Sequence, residues 1–182
     1  MAITRLGGAN AISGTIPQGN IANASLGAVT ALPAAITTGK VLQVVQAITT
    51  TAVTHVSDGA QVDTGLTASI TPSATSSKIL VLISQNNKVT RTSAVALMNY
   101  QLRLFRDSTN IEFWENVCAM PVNTADSLYG SNHAYHYEDS PSSTSSLTYK
   151  TTGRVVSSGG GRTVKFQDGS APSTITLMEI AG

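Results

Sequence analysis

The sequence predicts an all-β protein, a single antiparallel β-sandwich or jelly-roll-like domain preceded by an extended N-terminal arm. Composition is the first reason. Thr, Val and Ile are plentiful, Glu and Lys are scarce, and Ser and Thr together make up about a quarter of the 182 residues. β-Branched side chains suit a pleated strand, and Ser and Thr compete with helix backbone bonds. The second reason is rhythm. From Lys40 onward, short apolar or alternating runs are separated by turn signals every 8–12 or so residues, the spacing of sandwiches and jelly rolls. The third is a change of chemistry near Lys40, before which no charged residue occurs as far back as Arg5.

The chain therefore divides into an attachment or oligomerisation arm, residues 1–39, and a β-sandwich domain, residues 40–182. In the arm, Ile12, Ile16, Ile21, Leu26, Val29, Leu32 and Ile36 recur every three to five positions among small residues. That is not strand alternation, and Gly14, Pro17, Gly19 and Gly27 break any long helix. A short helical piece fits Ser25–Ala31, capped by Ser25 and stopped by Pro33. The segment is too apolar for a free linker and too small to form a core. Its isolated apolar side chains are expected to peg into grooves on another surface, either sister subunits or a different protein of the same assembly.

The domain opens with KVLQVVQAI (Lys40–Ile48), in which Leu42, Val44 and Gln46 share one face and Val41, Gln43 and Val45 the other. TAVTHVSDG ends at the turn dipeptide Asp58-Gly59. QVDTGLTASITP reads as two short pieces broken at Gly65. KILVLISQN (Lys78–Asn86) is the strongest strand. Its unbroken apolar run predicts cover on both faces. NYQLRLFRD (Asn99–Asp107) alternates, with Tyr100, Leu102 and Leu104 opposite Gln101, Arg103 and Phe105. DSTN turns it into IEFWEN, so the two form a hairpin in which Arg103 or Arg106 is expected to meet Glu112 or Glu115. AYHYEDSP and LTYKTTG flank a serine-rich loop, and VKFQDG follows SSGGGRT. The last strand, STITLMEI (Ser173–Ile180), sets Ile175, Leu177 and Glu179 against Thr174, Thr176, Met178 and Ile180. About nine or ten strands result. Ser93–Tyr100 carries a helical alternative with Ser93 as cap, but a loop fits better.

Charge and motifs narrow the function. Charged residues are 12% of the chain and the net charge is +1. The usual charged share is about 25%. No basic or acidic field is available to steer nucleic acid or an anionic membrane. So few charges also protect a lone monomer poorly against association. No apolar run approaches the roughly 20 residues that span a bilayer, and Gly7, Gly8 and Asn10 interrupt the N-terminus, which reads against a cleaved secretory signal. Cys118 is the only cysteine, so neither an internal disulfide nor a cysteine zinc site is expected.

Catalytic signatures are missing, and no enzyme activity, cofactor or metal is expected. NHAYHYED (Asn132–Asp139) holds His133, His136, Glu138 and Asp139, but in a strand His133 and His136 point to opposite faces. There is no Gly-x-Ser-x-Gly elbow, and SSGGGRT lacks the Lys-Ser/Thr ending of a phosphate loop. Trp114, Tyr135 and Tyr137 are candidates for stacking on sugar rings. Core and inter-subunit packing is the plainer reading of the same rings.

The passages MAITRLGGANAISGTIPQGNIA, LPAAITTGKVLQVVQ, VDTGLTASITPSATSSKILVLIS, YHYEDSPSSTSSLTYK and STITLMEIAG together resemble virion structural proteins of tailed bacteriophages, in particular short tail-fibre-like proteins of aquatic phages. The resemblance implies a homotrimer localised to the virion. It also implies an N-terminal arm that attaches to other virion proteins or intertwines, and an outward-facing β domain for host attachment, with a host-surface glycan as a candidate partner. No fixed-period shaft of repeats is present. A capsid decoration or cement protein, stabilising the capsid shell, is therefore the alternative to a tail fibre, and a carbohydrate-binding receptor-recognition module is the other.

Overall fold

The structure, a computed structural model, describes residues 40–55, 61–92, 99–115, 117, 127–156 and 161–182. The expected arm with its seven apolar pegs, the helical piece Ser25–Ala31, the Asp58-Gly59 turn and Cys118 lie outside these residues. So do residues 93–98 of the helical alternative.

Among the described residues there are ten strands: β1 (Val41–Thr49), β2 (Val53–His55), β3 (Val62–Ile70), β4 (Lys78–Arg91), β5 (Tyr100–Arg106), β6 (Thr109–Trp114), β7 (Ser127–Asp139), β8 (Leu147–Val155), β9 (Thr163–Phe166) and β10 (Ser173–Ile180). Every pairing between them is antiparallel. The fold is an all-β sandwich of two sheets.

β4 is the spine of the first sheet. Along one side its first half pairs with β10, which pairs in turn with β1; its second half pairs with β9, which pairs with β2. Along the other side β7 pairs with its whole length. The second sheet runs β3-β8-β5-β6.

Alternation explains the core. Ile79, Val81 and Ile83 of β4, Leu66, Ala68 and Ile70 of β3, Tyr149 of β8, and Ile175 and Leu177 of β10 form one buried cluster with Leu104 and Leu147. Val89, Tyr100, Leu102, Val155, Val164 and Phe166 form a second. Between them the same strands carry polar side chains. Gln85 lies between Ile83 and Val89 on β4, Thr151 lies between Tyr149 and Val155 on β8, and Thr64, Gln167 and Ser173 join them, all fully buried. Thr151 donates to Gln85 Oε1 at 3.0 Å, and Gln85 Nε2 donates to Ser173 Oγ at 3.0 Å. In the amide orientation that satisfies it, Gln167 donates to the carbonyls of Thr64 and Thr51 at 2.9 and 3.1 Å. The layer meets the requirement that buried polar groups be paired.

Three expectations need correction. KILVLISQN is not covered on both faces. Strand β4 is longer and alternates, with Leu80 half-buried and Leu82 39% exposed. Only one face of each sheet packs against the other, as an antiparallel sandwich requires. Gly65 does not split its segment in two. It takes φ +82° inside a continuous β3, at a register shift between Asp63 and Thr67. Glycine reaches that backbone region without strain, which suits a bulge. The hairpin arginines do not reach Glu112 or Glu115. A register shift after Leu104 sets Arg103 opposite Phe113 and Arg106 opposite Thr109. Arg103 then lies over the Phe113 ring, 5.1 Å from its centroid, and Arg106 turns to Asp139 of the other sheet.

Candidate functional site

The aromatic candidates are brought to one margin of the sandwich, where β6 and β7 run. From Ser131 to Asp139 the odd-numbered residues of β7 face the opposing sheet, so Tyr135 and Tyr137 project inward and Trp114 meets them from the end of β6. Trp114 and Tyr135 stack with centroids 4.4 Å apart and planes 25° apart. His133 stacks on Tyr135 at 6.3 Å, and Tyr100 meets His133 edge-on at 6.5 Å. Burial pushes the Tyr135 phenol up to about 12 and lowers the His133 imidazole. Tyr137 packs against the larger core cluster. Trp114 and Tyr135 thus each cover one face of the other ring, and all three aromatics are half-buried.

The His/acid patch is divided between two faces. His133 points inward and hydrogen-bonds Ser131 Oγ at 2.7 Å. His136 and Glu138 point outward, and Glu138 pairs with Lys78 at 2.6 Å. Asp139 is buried. It accepts from Arg106 Nη1 at 2.8 Å on both oxygens and from the Tyr149 hydroxyl at 2.6 Å. Burial first, then Asp139, lifts the Tyr149 phenol far above its ordinary range. Among the described residues no three metal-ligating side chains are gathered together.

Glu179, the inward acid of β10, is fully buried. Gln43 Nε2 at 2.6 Å, the Ser73 amide at 2.7 Å, Ser73 Oγ at 2.6 Å and Ser77 Oγ at 2.7 Å all donate to its carboxylate. Burial alone would raise this carboxyl, but the donors outweigh it and hold it at about 2. The cage ties β1 and the β3–β4 connection to β10.

The outer face of the first sheet gathers several of the exposed large apolar side chains. Cross-strand register sets three rows on it. They are Ile48–Thr174–Ser84–Ala134, Gln46–Thr176–Leu82–His136 and Val44–Met178–Leu80–Glu138. Ile48 is 61% exposed and Val44 56%. The Lys78–Glu138 pair marks one end of this area. Towards β9 the face changes character, with Lys88 and Lys165 both paired to Asp168 at 3.2 and 2.7 Å. On the apolar part, small side chains leave a hollow of about 290 Å³ floored by Ser84, Ala134, Thr174 and Thr176 and flanked by Leu82 and His136.

Sequence reasoning did not single out this face. Its signal was present, since KVLQVVQAI, KILVLIS and STITLMEI all carry large apolar residues in both strand phases.

No protein-family model matches the chain, and no curated protein matches it. Among solved structures it is similar to parts of VP2 from infectious bursal disease virus. The D431N mutant VP2 of T=1 particles is 19% identical with a TM-score of 0.32, covering 75% of this chain and 36% of that one. A second structure of T=1 particles from the same virus is 15% identical with a TM-score of 0.35, covering 78% and 37%. A VP2 subviral particle is 15% identical with a TM-score of 0.29, covering 77% and 40%. The chain therefore spans well under half the length of these proteins.

Proposed function

We propose that this chain is a non-catalytic structural protein of a virion, a homotrimeric short tail-fibre or tail-appendage protein held to other virion proteins through residues 1–39. The observation that carries the structural role is the outer sheet face, which is low in charge and carries exposed Val44, Ile48 and Leu82 among small polar residues yet is uncovered in the described chain. Large exposed apolar surfaces mark interaction sites, and a chain with 12% charged residues has little else to keep it apart from its neighbours. The N-terminal segment, uncharged from Leu6 to Gly39, supports attachment, because Ile12, Ile16, Ile21, Leu26, Val29, Leu32 and Ile36 need apolar grooves that the segment cannot supply to itself.

A second reading is a capsid decoration protein clamping neighbouring shell subunits through the same segment. The compact sandwich favours it, since the described residues of 40–182 form sandwich strands and no shaft. Imaging particles with this protein labelled separates the two, because label confined to the tail supports the first and label distributed over the shell supports the second. Deleting residues 1–36 is expected to abolish incorporation into particles; normal incorporation of the truncated protein would sink the attachment role. Host-glycan contact through Trp114, Tyr135 and Tyr137 has weaker support, because two of the rings already cover each other. Binding on a glycan array that disappears in Trp114→Ala would raise it.

A further inference from the structure

The apolar outer face has two unlike halves. On the β1 side, Val44 and Ile48 stand up as a ridge, more than half exposed. On the β4–β7 side lies the hollow over Ser84 and Ala134. At about 290 Å³ it is roughly twice the 150 Å³ cavity that takes up a benzene molecule, which is room for an aliphatic side chain. Ridge and hollow share a row, because Ile48, Thr174, Ser84 and Ala134 are successive cross-strand partners.

We propose that the ridge of one copy of this chain enters the hollow of the next, closing a three-membered ring with the outer faces turned to the axis. The proposal rests on the homotrimer reading above and adds the surface that makes it. Two arguments fix a second copy as the occupant. The β1-β10-β4-β7 part of the face carries ion-paired charge only at its Lys78–Glu138 end, so it matches its own chemistry better than that of a strongly charged partner. Its two halves are also complementary in shape, whereas a head-to-tail contact needs two different surfaces on one subunit. Four strands at about 4.8 Å and some seven residues at about 3.4 Å give the whole face roughly 450 Å² in plan. A ring divides that area between two neighbours, so the face supplies only part of a standard interface of about 800 Å² per partner.

A rotation about an axis parallel to the strands preserves height, so Ile48 of one copy meets Ala134 of its neighbour. Within one chain these residues stand three strands apart, about 14 Å, too far to pair directly. The test uses the full chain in three variants, Ile48→Lys, Ala134→Glu and the two combined, with circular dichroism confirming that each is folded. Sedimentation at graded concentration reads the assembly. Each single variant should raise the concentration at which trimers form by about tenfold or more, a hundredfold change in the trimer dissociation constant, or about 2.7 kcal/mol per trimer. The combined variant should recover most of that loss by an intermolecular Lys–Glu pair. Trimers unaffected by Ile48→Lys overturn the proposal and leave residues 1–39 as the holder. A combined variant no better than the singles overturns the row-to-row contact. A wild-type chain that stays monomeric throughout removes the trimer reading itself.

Discussion

Glu179 lies next to the end of β10, on the same face as Ile175 and Leu177, and accepts four hydrogen bonds in full burial. Its carboxyl is held at about 2 against an ordinary 4.5. A depressed carboxyl stabilises the fold above its unfolded value and loses that contribution as pH falls towards its folded value. Stability is therefore expected to decline as pH drops from about 4.5 to about 2, measured by urea denaturation across that window. Glu179→Gln should flatten the decline. At neutral pH it should cost about 1–3 kcal/mol, because an amide presents its own donors to a cage of donors. Gly153 is a second sensitive position. A Cβ there would stand 2.4 Å from Phe166 Cζ, so Gly153→Ala should destabilise by about 1–3 kcal/mol through overpacking, seen as a lowered Tm. Alternation along STITLMEI was enough to point Glu179 inward. Its cage was not legible, because Gln43 and Ser77 are 136 and 102 residues away in sequence. Nor does a glycine in LTYKTTG announce the ring that covers it.

Strands were the most readable level, because a period of two marks both their presence and their faces. Tyr100, Leu102 and Leu104 faced the core as their spacing implied. Pairing was less readable. Nothing local tells β4 to carry β10 and β9 along one side and β7 along the other, and a register shift after Leu104 moved Arg103 from Glu112 to Phe113. Reading KILVLIS as doubly covered failed for a related reason, since an apolar run serves a buried strand and an interface strand equally well. The polar layer shared by β3, β4, β8 and β10 carries its own test. Gln85→Ala removes the acceptor of Thr151 and a donor to Ser173. It should cost about 2–4 kcal/mol by combining a cavity with unsatisfied buried groups, read from the denaturation midpoint. Trp114→Ala should cost about 1–3 kcal/mol, because it strips the Tyr135 ring of its stacked partner.

The described domain is a two-sheet sandwich whose first sheet gathers exposed Val44, Ile48 and Leu82 on its outer face. A charged share of 12% pointed to covered surface without saying where that surface lies. Only the pairing of β1, β10, β4 and β7 gathers the spare apolar residues into one area. Contacts made by this area should be insensitive to screening. Raising salt from about 50 mM to about 500 mM shortens the Debye length from roughly 14 Å to 4 Å, and the trimer fraction seen by sedimentation should hold or rise. A marked loss of trimer at high salt would assign the assembly to charged contacts elsewhere.

The junction at Lys40 also has a mechanical meaning. β1 lies antiparallel against β10 from Val41 to Thr49, and the Ala181 amide donates to the Lys40 carbonyl at 2.9 Å. Tension applied at Lys40 along the axis of β1 loads these backbone bonds together, in shear. Tension across that axis opens them one after another, starting beside the Gln43–Glu179 contact. A protein tethered through the residues before Lys40 therefore resists lengthwise pulling far better than sideways peeling.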